Sequence, residues 1–206
     1  MLLNNDIYSF ECFLCGCCCR GHTKIQLNPH DLWKMAVYCG YNTTEQLFKD
    51  KLIICEKGQH DILMPYIRFK KKPFSFCPFL INKCDDTLQL ERGLCALHPR
   101  YKPLVCSMAP LGREIDFETG TISYLFIPPA QGCPGLKSHH SKHLKNVTAT
   151  LAEELDYEER YFRILQYICH LPDSAQREIE ELYFFNTKAE FPKKFEEFEK
   201  RYIIEV

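Results

Sequence analysis

Five cysteines crowd into Cys12-Phe13-Leu14-Cys15-Gly16-Cys17-Cys18-Cys19-Arg20, and four of them fall at CxxCxxCC spacing. Thiolate sulfur is a soft donor that suits zinc, Cu(I) and iron–sulfur clusters, whereas magnesium and calcium take oxygen ligands. CxxC spacing lets two thiolates from one turn converge on one centre, and Gly16 gives the backbone freedom to turn its amides toward sulfur. Adjacent Cys18 and Cys19 are expected to leave the backbone in divergent directions. That points to two neighbouring centres, or to one ligand beside one packed thiol. The chain reads as a metalloprotein.

A second block supplies Cys77-Pro78, Cys84, Cys95, Cys106 and Cys133-Pro134-Gly135. The evenly spaced Cys12, Cys15 and Cys18, followed by remote Cys-Pro steps, are similar in part to the CxxCxxCxxxCP ligand run of bacterial ferredoxins. Eight thiols, namely Cys12, Cys15, Cys18, Cys19, Cys77, Cys95, Cys106 and Cys133, match the ligands of two [4Fe-4S] clusters or two tetrahedral zinc ions. Cys84 and Cys17 are additional candidates. Cys39, Cys55 and Cys169 are expected to be reduced core thiols. His22 and His98 are alternative ligands or hydrogen-bond donors, and His139, His140 and His143 read as a solvated helix start. Catalytic zinc is disfavoured, because neither HExxH nor a deaminase-like His-x-Glu with PCxxC is present.

The run Cys12 to Arg20, Cys77-Pro78-Phe79-Leu80, Cys95 to His98, Lys102-Pro103-Leu104-Val105-Cys106 and Cys133-Pro134-Gly135 together resemble the YkgJ-like cysteine-cluster family. That family is described as a zinc- or iron-chelating domain, and the resemblance covers about residues 10 to 136. It implies a metal site at the matching cysteines. Some members are described as flagellin lysine N-methylases, so it also implies a lysine methylation-related enzyme as one alternative. Where the family shows an Ile-Tyr pair and an Arg-Pro step, this chain has Leu97-His98 and Lys102-Pro103.

Several elements must bring these thiols together. Asn28-Pro29 with Asp31, then Leu32, Trp33, Ala36 and Val37, predicts a capped helix that Gly40 ends. Thr43 or Thr44 with Glu45 and Gln46 opens a second helix through Leu52. Leu63 to Phe69 predicts an edge strand because of Pro65, Lys70-Lys71-Lys72 a solvated turn, and residues 115–127 a hairpin with Gly120 in its turn. From Leu144, the apolar Val147, Leu151, Leu155, Phe162, Leu165 and Cys169 recur at helical steps until Leu171-Pro172-Asp173. Further helices are expected from Ser174 to about Tyr183 and from Phe191 onward. Phe10, Phe13, Trp33, Phe76 and Phe79 are expected to pack the core or to shield a cluster from water.

Length and charge bound the rest. A chain of 206 residues buries a real core. With 26 basic and 27 acidic residues, its net charge of -1 gives no general pull toward nucleic acid or a membrane surface. The start lacks the features of a signal peptide, and no apolar run reaches the length of a membrane span. The expected compartment is the cytoplasm, where clustered thiols serve as ligands more often than as disulfides. A protein partner or redox partner would be recognised locally. The expected fold is α+β and α-rich: an irregular, metal-centred cysteine domain with short strands over residues 1–136, and a C-terminal helical extension, 137–206, packed on it. The first functional expectation is one or two [4Fe-4S] clusters with an electron-transfer, structural or enzyme-associated role. The alternative is a zinc-binding structural or protein-interaction module.

Overall fold

The computed structural model describes residues 6–20, 24–58, 62–72, 75–85, 90–129, 132–169, 176–188 and 190–202. The expected capping box opens α1 (Pro29–Tyr38): the Asn28 side chain accepts from the Asp31 amide at 2.9 Å, and the Asp31 carboxylate accepts from the Asn28 amide at 3.4 Å. Gly40, at φ 72°, ends it in the left-handed region. Thr44 precedes α2 (Glu45–Lys49) without capping it. Its hydroxyl instead donates to the Tyr183 carbonyl at 2.6 Å and accepts from the Phe185 amide at 3.0 Å, tying α2 to the C-terminal region.

The described strands form four antiparallel pairs: β1 (Ile7–Ser9) with β8 (Ser141–His143), β2 (Ile53–Lys57) with β3 (Leu63–Ile67), β4 (Leu80–Asp85) with β5 (Leu90–Cys95), and β6 (Leu111–Ile115) with β7 (Ile122–Phe126). The fold is α+β. The β6–β7 turn is the one expected: the Asp116 carboxylate accepts from the Glu118 and Thr119 amides at 3.0 and 2.6 Å, and Gly120 supplies φ 68°.

The remaining helices are α3 (Leu104–Met108), α4 (Leu144–Thr150), α5 (Ala152–Ile168), α6 (Gln176–Tyr183) and α7 (Phe191–Tyr202). The single helix expected from Leu144 is two, because Leu151 leaves helical geometry at φ −110°, ψ 19°. The preceding Thr148 and Thr150 hydroxyls bond back to the Leu144 and Asn146 carbonyls at 3.2 and 2.9 Å, a pattern that weakens a helix locally.

One core joins both halves of the chain. Leu32, Met35, Leu47, Ile53 and Met64 pack with Tyr161, Ile164 and Leu165 of α5 and with Leu182, Tyr183, Phe191 and Phe195. Each such side chain contributes about 1.5–3 kcal/mol on burial. The buried Tyr161 and Tyr183 hydroxyls pair at 2.6 Å, and the Tyr183 hydroxyl donates to the Leu63 carbonyl at 2.9 Å. A smaller cluster of Tyr8, Phe10, Leu104, Met108, Leu111, Cys133 and Leu155 lies beside it, with Cys15 and Cys17 packed against it.

Two expectations about the core change. Cys55 is exposed on β2, while Cys39 and Cys169 are half-buried. Phe10 and Phe79 are buried, but Phe13 is 51 % exposed, so it shields nothing. Among the described residues, no helix is long and apolar enough to cross a membrane.

Candidate metal centre

The cysteine loop is positioned by a backbone crossing. Cys15 bridges to Gly93 of β5, and the Gly93 amide donates to the Leu14 carbonyl at 2.8 Å. The chains touch so closely there that a Cβ on Gly93 would lie 2.4 Å from the Gly16 Cα, so no larger residue fits. Gly16, at φ 71°, then turns the chain into a short 3-10 helix, Cys17–Cys19, closed by the Cys19 amide on the Gly16 carbonyl at 2.9 Å.

From that turn the loop reaches the second block. The Cys77 amide donates to the Cys19 carbonyl at 2.8 Å. Cys95, ending β5, stands opposite Leu80 at the start of β4. Cys106 rides on α3, whose first amide, that of Leu104, donates to the Asp31 carboxylate at 2.9 Å. Lys34, 3.3 Å from the same carboxylate, donates to the Lys102 carbonyl at 2.8 Å and pairs with Glu154 at 2.6 Å. A buried ion network on α1 therefore holds the segment that carries Cys106.

The result is a cavity of about 200 Å³ lined by Cys18, Cys19, Cys77, Cys95 and Cys106. Lys102 also lines it, and Ile25, Ile67, Phe69, Leu97 and Val105 make its apolar wall. The divergence expected for Cys18 and Cys19 is corrected: their sulfurs lie 4.0 Å apart, and both residues line one cavity. A hydrogen bond from Cys19 holds the Cys18 thiol down, to about 6, and the Lys102 ammonium acts in the same direction. That bond to Cys18 and then burial push Cys19 well above the usual thiol range. Burial pushes Cys77 up to about 12 and raises Cys106 further, with Lys102 opposing the rise at Cys106.

Three more thiols form a second group. The Cys15 and Cys133 sulfurs lie 4.0 Å apart, and Cys17 is near enough to both that they reinforce the rise, to about 11, that burial gives its thiol. Cys133 is set there by Gly135, where a Cβ would come within 2.2 Å of the Glu11 carbonyl oxygen.

Cys12 is exposed and is not among the residues that line the cavity. Cys84 falls on β4 with its side chain outside the described ones, and His22 lies outside the described residues. His98, His139, His140 and His143 are exposed.

The donor set fits a thiophilic metal group: five soft sulfurs, a lysine to offset thiolate charge, and an apolar wall against water. Among the described residues, no three Cys, His, Asp or Glu side chains gather closely enough to hold a single ion. The five cysteines line one cavity without converging on a single-ion site.

Sequence reasoning missed three supporting positions. Gly93 carried a signal, since an isolated glycine in a strand marks close backbone approach. Asp31 was legible only as a capping acid, and nothing local marked Lys34 as buried. Compared with protein-family models, curated proteins and solved structures, the chain matches none.

Proposed function

We propose that this chain is a thiolate-ligated metalloprotein whose principal centre occupies the cavity between the cysteine loop, β5 and α3. One observation carries the reading: five cysteines from four separate stretches of the chain line a single cavity. Cys18, Cys19, Cys77, Cys95 and Cys106 would hold the group. Close thiolates repel one another, and a bound cation removes that cost. Thiols spread around a space suit a polynuclear group better than one ion, which favours an iron–sulfur cluster. Such a cluster supplies one-electron transfer when bound, with a structural or enzyme-associated role equally compatible with the fold. The same cysteines support placing the chain with YkgJ-like cysteine-cluster proteins.

Zinc is the second reading, and it has its own observation. The 4.0 Å separations in the Cys18–Cys19 and Cys15–Cys133 pairs are close to the roughly 3.8 Å between two thiolates on tetrahedral zinc. Iron, acid-labile sulfide and zinc per chain, measured on protein purified without oxygen, separate the two readings. Equal iron and sulfide, about four of each per occupied site, is the expected result. Zinc without sulfide selects the second reading, and absence of both metals overturns both.

A further inference from the structure

The proposed centre takes no ligand from Cys15, Cys17 or Cys133, none of which lines its cavity. Among the described residues, two sulfur pairs lie within 4.0 Å: the chain neighbours Cys18 and Cys19, and Cys15 with Cys133, 118 positions apart.

Backbone contacts hold the distant pair from both sides. β1 pairs with β8, the Phe10 amide donates to the His140 carbonyl at 3.1 Å, and the Glu11 amide donates to the Gly135 carbonyl at 3.4 Å. Cys15 is fixed in turn by its bridge to Gly93. A disulfide needs its sulfurs about 2.05 Å apart, so these two must approach by about 2 Å, which rotation about the side-chain bonds supplies. The two thiols differ in access: Cys133 is 6 % exposed, whereas Cys15 is half-buried.

We propose that Cys15 and Cys133 form a reversible disulfide that latches the cysteine loop to the Cys133–Gly135 segment. The oxidant is a low-molecular-weight disulfide. The more accessible Cys15, as thiolate, attacks one of its sulfurs, breaking the small S–S bond and releasing one small thiolate. Cys133, as thiolate, then attacks the Cys15 sulfur of the mixed disulfide and releases the second. The protons given up by the two protein thiols go to the two small thiolates, and two electrons pass from the protein to the oxidant. The inference goes beyond the metal reading and does not depend on it.

The full chain, purified without oxygen, is equilibrated with oxidised and reduced glutathione over a series of ratios. It is then alkylated, digested without reduction and mapped by tandem mass spectrometry. Cys15 and Cys133 are expected to lose alkylation together and to appear as the most abundant linked pair, and dithiothreitol to restore both thiols. Cys15→Ala and Cys133→Ala are each expected to abolish the link and Cys17→Ala to keep it, with thermal melting to verify the fold. Both thiols still alkylated at the most oxidising ratio, a dominant link between any other pair, or a Cys133 link that survives Cys15→Ala at wild-type yield overturns the assignment. Metal and sulfide counted on the same wild-type sample keep the two readings apart: a link without metal removes only the metal reading, and metal without the link removes only this one.

Discussion

At the scale of single residues, the proposed centre sets a contest between protons and a metal. The hydrogen bond to Cys18 together with burial holds Cys19 in its thiol form, burial does the same for Cys77 and Cys106, and Lys102 offsets only one charge. A bound metal ends the contest by replacing the protons, so each cavity thiol matters to retention. Cys106→Ser is expected to lose most of the metal, because a buried hydroxyl replaces a soft donor at the α3 wall. Cys55→Ser is expected to keep it, since Cys55 is exposed on β2 and lines no part of the cavity. Metal and sulfide analysis of the two purified variants checks both outcomes; equal loss in the pair would remove the cavity from consideration.

At the scale of elements, two contacts hold the thiol cavity in shape. The crossing of the cysteine loop over β5 tolerates only glycine, so Gly93→Ala is expected to cost about 1–3 kcal/mol and to lower metal content together with stability. The other contact is the network on α1. Lys34, only 5 % exposed in its side chain, sits between Asp31 and Glu154 and also secures the Lys102 carbonyl. Lys34→Met strands the buried Asp31 carboxylate and unpairs the half-buried Glu154, and a loss of about 3–5 kcal/mol is expected in urea denaturation. A loss below about 1 kcal/mol, as for an exposed pair, would mean that the network is not what holds α3.

At the scale of the whole molecule, the shared core predicts that a chain ending at residue 136 does not fold cooperatively. It would leave Leu32, Met35 and Leu47 without Tyr161, Leu182 and Phe195, and near-UV circular dichroism through a melt reads this directly. His30 adds a dependence on pH. Its ring is buried against Tyr157 and Phe191 at centroid distances of 4.7 and 5.0 Å, and burial, aided by Lys34, lowers its pKa from 6.5 to about 3. The unfolded chain therefore takes up this proton first as the pH falls. The His30 contribution to stability is complete above about 6.5 and is lost between there and about 3. Wild type is expected to lose more stability than His30→Phe over that window, as measured by denaturation at several pH values. The sequence by itself determined the density of soft donors, the capping box of α1, the Gly120 turn and the helical C-terminal region, because each of these signals is written within a few neighbouring residues. Only the tertiary structure decided that Cys18 and Cys19 share a cavity, that Gly93 sits under Gly16, that Asp31 and Lys34 support α3, and that Cys15 lies beside Cys133. Those outcomes depend on contacts between residues tens of positions apart, where chain packing rather than local spacing sets the distances.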